Sequence, residues 1–158
     1  MIAEQAKGAL YSSIVVGTDG SETASKAVTR AAELAAASSA TLSIVSAFRP
    51  VPPERLRNER AGAPDDIAYV VNSREDVDHL LSVAKKLAQS IGANSVRTEA
   101  VDSDPSEALI DVAERVSADL IVVGSKGMTG AKRFILGSVP NRVAHHTPCD
   151  VLIVKTDL

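Results

Sequence analysis

Apolar and polar positions along this chain follow two periods, and the period switches repeatedly. Ser13-Ile14-Val15-Val16-Gly17 is a short β-branched run, closed by the turn-forming Thr18-Asp19-Gly20-Ser21. Ala24, Ala27, Val28, Ala31 and Ala35 then recur at helical spacing, with Ser21 as N-cap. Thr41 to Ala47 reads as a second strand. Val77, Leu80, Leu81, Ala84, Leu87, Ala88 and Ile91 form one apolar stripe. That stripe predicts a helix from about Ser73 to Ile91, capped by Gly92. Val96 to Val101 reads as a third strand. Asp104-Pro105-Ser106-Glu107 resembles a capping box with proline at the first helical position, and Leu109, Val112, Ala113 and Val116 give that helix its buried face. Leu120 to Val123 is a fourth strand, a helix follows from about Val139 to Thr147-Pro148, and Val151 to Val154 is a fifth strand.

The order β-α-β-α-β-α-β-α-β predicts a single α/β domain. Strands 1, 4 and 5 are nearly continuous apolar runs, which suits burial on both faces and hence a doubly wound parallel sheet. In such sheets ligands bind beyond the carboxyl ends of the strands, where the strand order reverses. The Asp19 loop ends strand 1 and the Gly124 loop ends strand 4. If those strands are neighbours, both loops line one crevice.

One stretch breaks the rhythm. Arg49 to about Asn72 holds Pro50, Pro52, Pro53 and Pro64, and Arg55, Arg57 and Arg60 among Glu54 and Glu59. It reads as a long solvated surface loop, with a lid over a ligand as the sharper alternative. Residues 1–10 read as a flexible tail, leaving 11–158 as the domain.

Composition narrows the function. A length of 158 residues fits one domain, and 3% aromatics with no tryptophan require an aliphatic core. A net charge of -3 gives no electrostatic case for nucleic acid or an anionic membrane. The single cysteine, Cys149, excludes an intrachain disulfide, so a reducing cytoplasm is the expected setting. No apolar run is long enough to span a bilayer, and Met1 to Leu10 lacks a signal-peptide core.

The candidate chemistry lies between strand 4 and the last helix. Gly124-Ser125-Lys126-Gly127 is followed by nine residues and then Gly137-Ser138. Glycine lets the backbone approach a phosphate closely, and a helix start offers unpaired N–H groups at the positive end of its dipole. The spacing matches neither the Walker loop nor the dinucleotide fingerprint. The other reading is a glycine-rich connection that binds nothing. Lys126, Lys132 and Arg133 would steer phosphates or form a solvated face. His145-His146 suggests a metal, but adjacent helical residues diverge, so donors near a helix C-terminus are the expectation. Cys149, ahead of a buried strand, is expected to be inert.

With these residues in view, the chain resembles the universal stress protein family. The resemblance rests on Val16 to Ser21, on Ala118 to Ser125, on Gly-x2-Gly-x9-Gly-Ser, and on Pro148 to Val154; it spans about Ser13 to Lys155. It implies a Rossmann-like, adenine-nucleotide-binding domain with a five-stranded parallel sheet ordered 3-2-1-4-5. It also implies a homodimer joined through the last strand, about Val151 to Val154. Chains with the full glycine motif fall in the family's ATP-binding branch, while some mycobacterial members bind cyclic AMP.

The family's roles then fall on particular positions. Gly17 and Thr18 would lie beside the adenosine. Asp19 would sit near the ribose or a phosphate-bound Mg²⁺, or act only as a turn residue. Ala47, Val123 and Gly124 would meet adenine. Gly127, Gly137, Ser138 and Val139 would meet the phosphates. Pro140 departs from members with a hydroxyl residue there, because proline offers neither N–H nor polar side chain. The implied function is a nucleotide-binding stress-response or signalling dimer with little or no catalysis, ATP being the favoured ligand. Cyclic AMP binding, a slow ATPase or phosphotransferase using Asp19, and a ligand-free dimer module are the alternatives.

Overall fold

The computed structural model describes residues 10–48, 74–125 and 136–156. The tail over residues 1–9, all of the excursion at 49–72, and Lys126, Gly127, Lys132 and Arg133 lie outside them. Among the described residues nine elements follow in chain order. They are β1 (Ser13–Gly17), α1 (Glu22–Ser38), β2 (Thr41–Phe48), α2 (Arg74–Ile91), β3 (Ser95–Asp102), α3 (Pro105–Arg115), β4 (Leu120–Gly124), α4 (Ser138–His146) and β5 (Asp150–Val154).

All strand pairs are parallel, and their order is β3-β2-β1-β4-β5. The chain moves outward from β1 to β3, crosses back under α3, and moves out the other way through β4 and β5. The reversal falls between β1 and β4, which pair as Ile14–Leu120, Val15–Ile121 and Val16–Val122. The strands whose loops carry the candidate chemistry are therefore neighbours.

Side chains alternate across each strand, so the central strands feed two cores. Ile14, Val16, Leu42, Ile44, Leu120 and Val122 pack with α1 and α2 on one face. Val15, Val45, Ile121 and Val123 pack with α3 and α4 on the other. Both cores are aliphatic among the described residues. α1 presents Ala27, Ala31, Ala32 and Ala35 to its core, small residues that let the helix lie close to the sheet.

β5 is the edge strand, as the expected order 3-2-1-4-5 places it, but its burial is less than expected: its apolar run suggested burial on both faces, and Val151, Leu152, Ile153 and Val154 are only half-buried. Burial there is limited because a neighbouring strand stands on one side alone. No helix among the described residues is long and apolar enough to cross a membrane.

Candidate functional site

Three helices start at the carboxyl end of the sheet around the switch point, and their first turns differ. α1 closes itself. Thr18 Oγ1 accepts from the Gly20 N–H at 3.1 Å and Asp19 Oδ1 accepts from the Ser21 N–H at 2.9 Å. Ser21 Oγ then caps the helix, accepting from the Ala24 N–H at 3.1 Å. Gly20 makes this turn with φ of 81°, a conformation that glycine adopts without strain. α3 also closes itself: Asp104 accepts from the Ser106 N–H at 3.2 Å and from the Ser106 hydroxyl at 2.6 Å. These bonds, chiefly the one from the Ser106 hydroxyl, hold the Asp104 carboxyl below its ordinary pKa.

α4 is different. Its N-cap is Gly137, which has no side chain to cap with. The Gly137 N–H donates to the Ser125 carbonyl at 3.0 Å, bringing the two ends of the glycine loop together. The first bond within the helix runs from the Asn141 N–H to the Gly137 carbonyl at 3.2 Å. Pro140 has no N–H. The N–H groups of Ser138 and Val139 are therefore the two donors of this turn without an acceptor inside the helix. The root of the loop is fixed on its other side, where Ser125 donates to the Val154 carbonyl at 2.8 Å and Ser125 Oγ accepts from the Thr156 N–H at 3.1 Å.

Between these helix starts lies a cavity of about 380 Å³. That size lies within the roughly 300–1,000 Å³ range of small-ligand sites. Its walls include Gly17, Thr18, Asp19, Ala47, Val123, Gly124, Gly137, Ser138 and Val139. So every site residue nominated from sequence lines this one cavity except Gly127, which lies outside the described residues. Val45, Ala47, Leu109 and Val123 make an apolar floor, and Ser138 and Asp19 are exposed at the polar end. Asp19 is the single ionisable side chain among the described lining residues. One of its oxygens is engaged in the turn, as the turn-residue reading requires, and the other has no partner among the described residues.

The cavity also includes residues that sequence reasoning did not place there, among them Ser21, Thr23, Val45, Pro105, Leu109 and Leu136. Ser21 and Leu109 were legible only as a cap and a core position. Leu109 reaches the floor because Gly17 leaves room for it; a Cβ on Gly17 would lie 3.1 Å from Leu109 Cδ2. Pro140, noted as a departure, lines the cavity as well. His145 lies at the far end of α4, its Nδ1 3.0 Å from the Asn141 carbonyl. Cys149 is half-buried ahead of β5, where burial pushes its thiol pKa up.

Residues 10–155 match the model of the universal stress protein family. The chain belongs to that family. A universal stress protein of Mycobacterium tuberculosis is 39% identical over 149 residues, covering 92% of this chain and 97% of the relative. A crystal structure of a universal stress protein in complex with cAMP is 37% identical with a TM-score of 0.70, over 93% of this chain and 98% of that one. The family member from Archaeoglobus fulgidus in complex with dAMP aligns with a TM-score of 0.64 at 23% identity, over 92% and 99% of the two chains. At that identity the likeness speaks for the shared fold alone.

Proposed function

We propose that this universal stress protein binds an adenine nucleotide in the β1/β4 cleft and acts as a binding protein rather than a dedicated catalyst. The observation that carries the proposal is the uncapped start of α4. Of the three helices that begin at the cleft, two cap their first turns with their own side chains, and the third has no side-chain cap and places Ser138 and Val139 in the cavity wall. A phosphate is the natural acceptor for such a turn. The apolar floor of Val45, Ala47, Leu109 and Val123 suits a purine face, and Asp19 stands where a ribose hydroxyl or a phosphate-bound Mg²⁺ would meet it. Gly127 would complete the phosphate loop.

ATP with Mg²⁺ is the first ligand proposed, on the full glycine motif. Cyclic AMP is the second reading, and two observations favour it. The 37%-identical neighbour is a cAMP complex. Pro140, which lines the cavity, also removes one helix N–H, so the turn has fewer donors to offer a chain of phosphates. One carboxylate and no histidine line the cavity among the described residues, which gives hydrolysis little beyond electrostatic help. The exposed edge of β5 suits pairing with a second copy through Val151 to Val154, and a cytoplasmic dimer is proposed.

Mass spectrometry of nucleotide released from the purified protein, followed by calorimetric titration with ATP-Mg²⁺ and with cyclic AMP, tests the reading. Saturable binding of either is expected, and the tighter ligand decides between them. No heat from either at millimolar concentration would sink it. Sedimentation as a monomer at micromolar concentration would remove the dimer.

A further inference from the structure

We infer that Arg142, held by Asp104 at the rim of the cleft, selects among nucleotides by the length of their phosphate chain. The inference rests on the reading that the cleft binds an adenine nucleotide. Arg142 stands one helical turn beyond Ser138 on α4, and residues four apart share a helix face. Its Nη1 lies 3.5 Å from Asp104 Oδ2. Asp104 caps α3, and the next residue, Pro105, lines the cleft. The pair thus spans the two helix starts just outside the cavity wall. No cation belongs to the wall itself among the described residues.

Asp104 is held first by Ser106, and Arg142 is the smallest of the contributions that stabilise its charge. The Ser106 N–H and hydroxyl already occupy its carboxylate, the hydroxyl at 2.6 Å. Arg142 makes a single long contact, and its side chain is 56% exposed. Exposed single-contact pairs hold weakly, and a guanidinium fork binds a phosphate through two parallel N–H groups. Arg142 is therefore a cation in reserve. A cyclic phosphodiester ends at the Ser138–Val139 turn and leaves the pair intact. A linear di- or triphosphate carries further charge outward to the rim, where Arg142 transfers from Asp104 to phosphate. Asp104 opposes that transfer twice, by holding Arg142 and by repelling the anion. The balance between the two side chains sets how strongly the site prefers a linear polyphosphate to a cyclic monoanion.

Calorimetry with ATP, ADP and cyclic AMP, in one Mg²⁺ buffer, on the wild type, Arg142→Ala and Asp104→Asn tests this. Arg142→Ala is expected to lower the ratio of ATP to cyclic AMP affinity about tenfold, the value of one charge-assisted phosphate contact. Asp104→Asn is expected to raise that ratio, since asparagine keeps the α3 cap and drops the charge. An unchanged ratio in Arg142→Ala, or a ratio that fails to rise in Asp104→Asn, overturns the inference while the nucleotide reading stands. A wild type that binds none of the three overturns that reading and the inference with it. If Arg142→Ala does not fold, Asp104→Asn decides alone.

Discussion

The two ends of the sheet treat their polar groups in opposite ways. At the amino end they are turned inward on one another. The Ser12 N–H and hydroxyl reach Asp119 Oδ2 at 2.9 and 3.0 Å, and the Ser13 N–H reaches Oδ1 at 3.0 Å. The Asp119 N–H returns to the Ser13 carbonyl at 2.9 Å, and the Tyr11 hydroxyl donates to Asp150 at 3.2 Å. One carboxylate thereby ties the entrance of β1 to that of β4, across more than a hundred residues of chain. At the carboxyl end the same two strands lead into a cavity, and the α4 turn keeps donors that no group among the described residues is shown to use. Each end begins from the same β1/β4 pairing. The difference shows how a parallel sheet can place stability at one end and a candidate binding site at the other, because donors spent internally stabilise and donors left over are available to a ligand.

The strongest way to break this contrast is to give α4 the cap its neighbours have. Gly137 has φ of -62° and ψ of 167°, an N-cap conformation open to any residue. Gly137→Asp would cap the helix as Asp104 caps α3, leaving stability unchanged or raising it by up to about 1 kcal/mol. The new carboxylate would face the phosphate, and a like charge near 4 Å at a protein surface costs about 4 kcal/mol. Nucleotide affinity is expected to fall about a hundredfold or more while the melting temperature holds. A variant that still binds at wild-type strength would mean the phosphate does not meet this turn.

Leu109→Ala comes next, and it blurs the two ends. Leu109 is buried, packs against Gly17 and forms part of the cavity floor. Truncation is expected to cost about 3 kcal/mol in chemical denaturation and to weaken nucleotide binding in the same variant. Asp119→Ala is smaller and one-sided. Losing the bonds from three donors to a partly exposed carboxylate is expected to cost about 2 kcal/mol, with calorimetric affinity for nucleotide unchanged. Coupled losses in Asp119→Ala would show that the two ends are not separate.

The division was only half legible in the sequence. Period switches located the nine elements with their ends within about two residues, and glycines after β1 and β4 marked the cavity mouth. Local chemistry announces itself in this way: a turn needs particular residues beside one another. Leu109 and Pro105 gave no such sign, because their place at the cleft comes from α3 crossing the sheet, which is a matter of packing between distant segments. Asp119 was visible only as part of the approach to β4; its partners lie at Ser12 and Ser13, and no spacing rule links them. β5 shows the reverse error, since an apolar run does not say how far an edge strand will be buried. Pro140 was legible as a lost donor, but its meaning depended on learning that Gly137 already donates to Ser125.

Acid titration offers the finest separation of the two ends. Burial raises the Asp119 pKa, but the bonds from Ser12 and Ser13 outweigh it and hold the carboxyl below the ordinary value of 3.8. A group depressed in the native state binds more protons when unfolded, over the interval between its two pKa values. Its contribution is therefore complete above about pH 4 and is lost as pH falls through the native pKa. Asp104 is depressed in the same direction and adds to the same acid slope. Denaturation midpoints measured from pH 6 down to about pH 2.5 should therefore fall more shallowly in Asp119→Ala than in the wild type, with the remaining slope owed partly to Asp104. Equal slopes would mean that the bonds at the amino end do not favour the ionised carboxylate, and Asp119 would then join β1 to β4 by geometry alone.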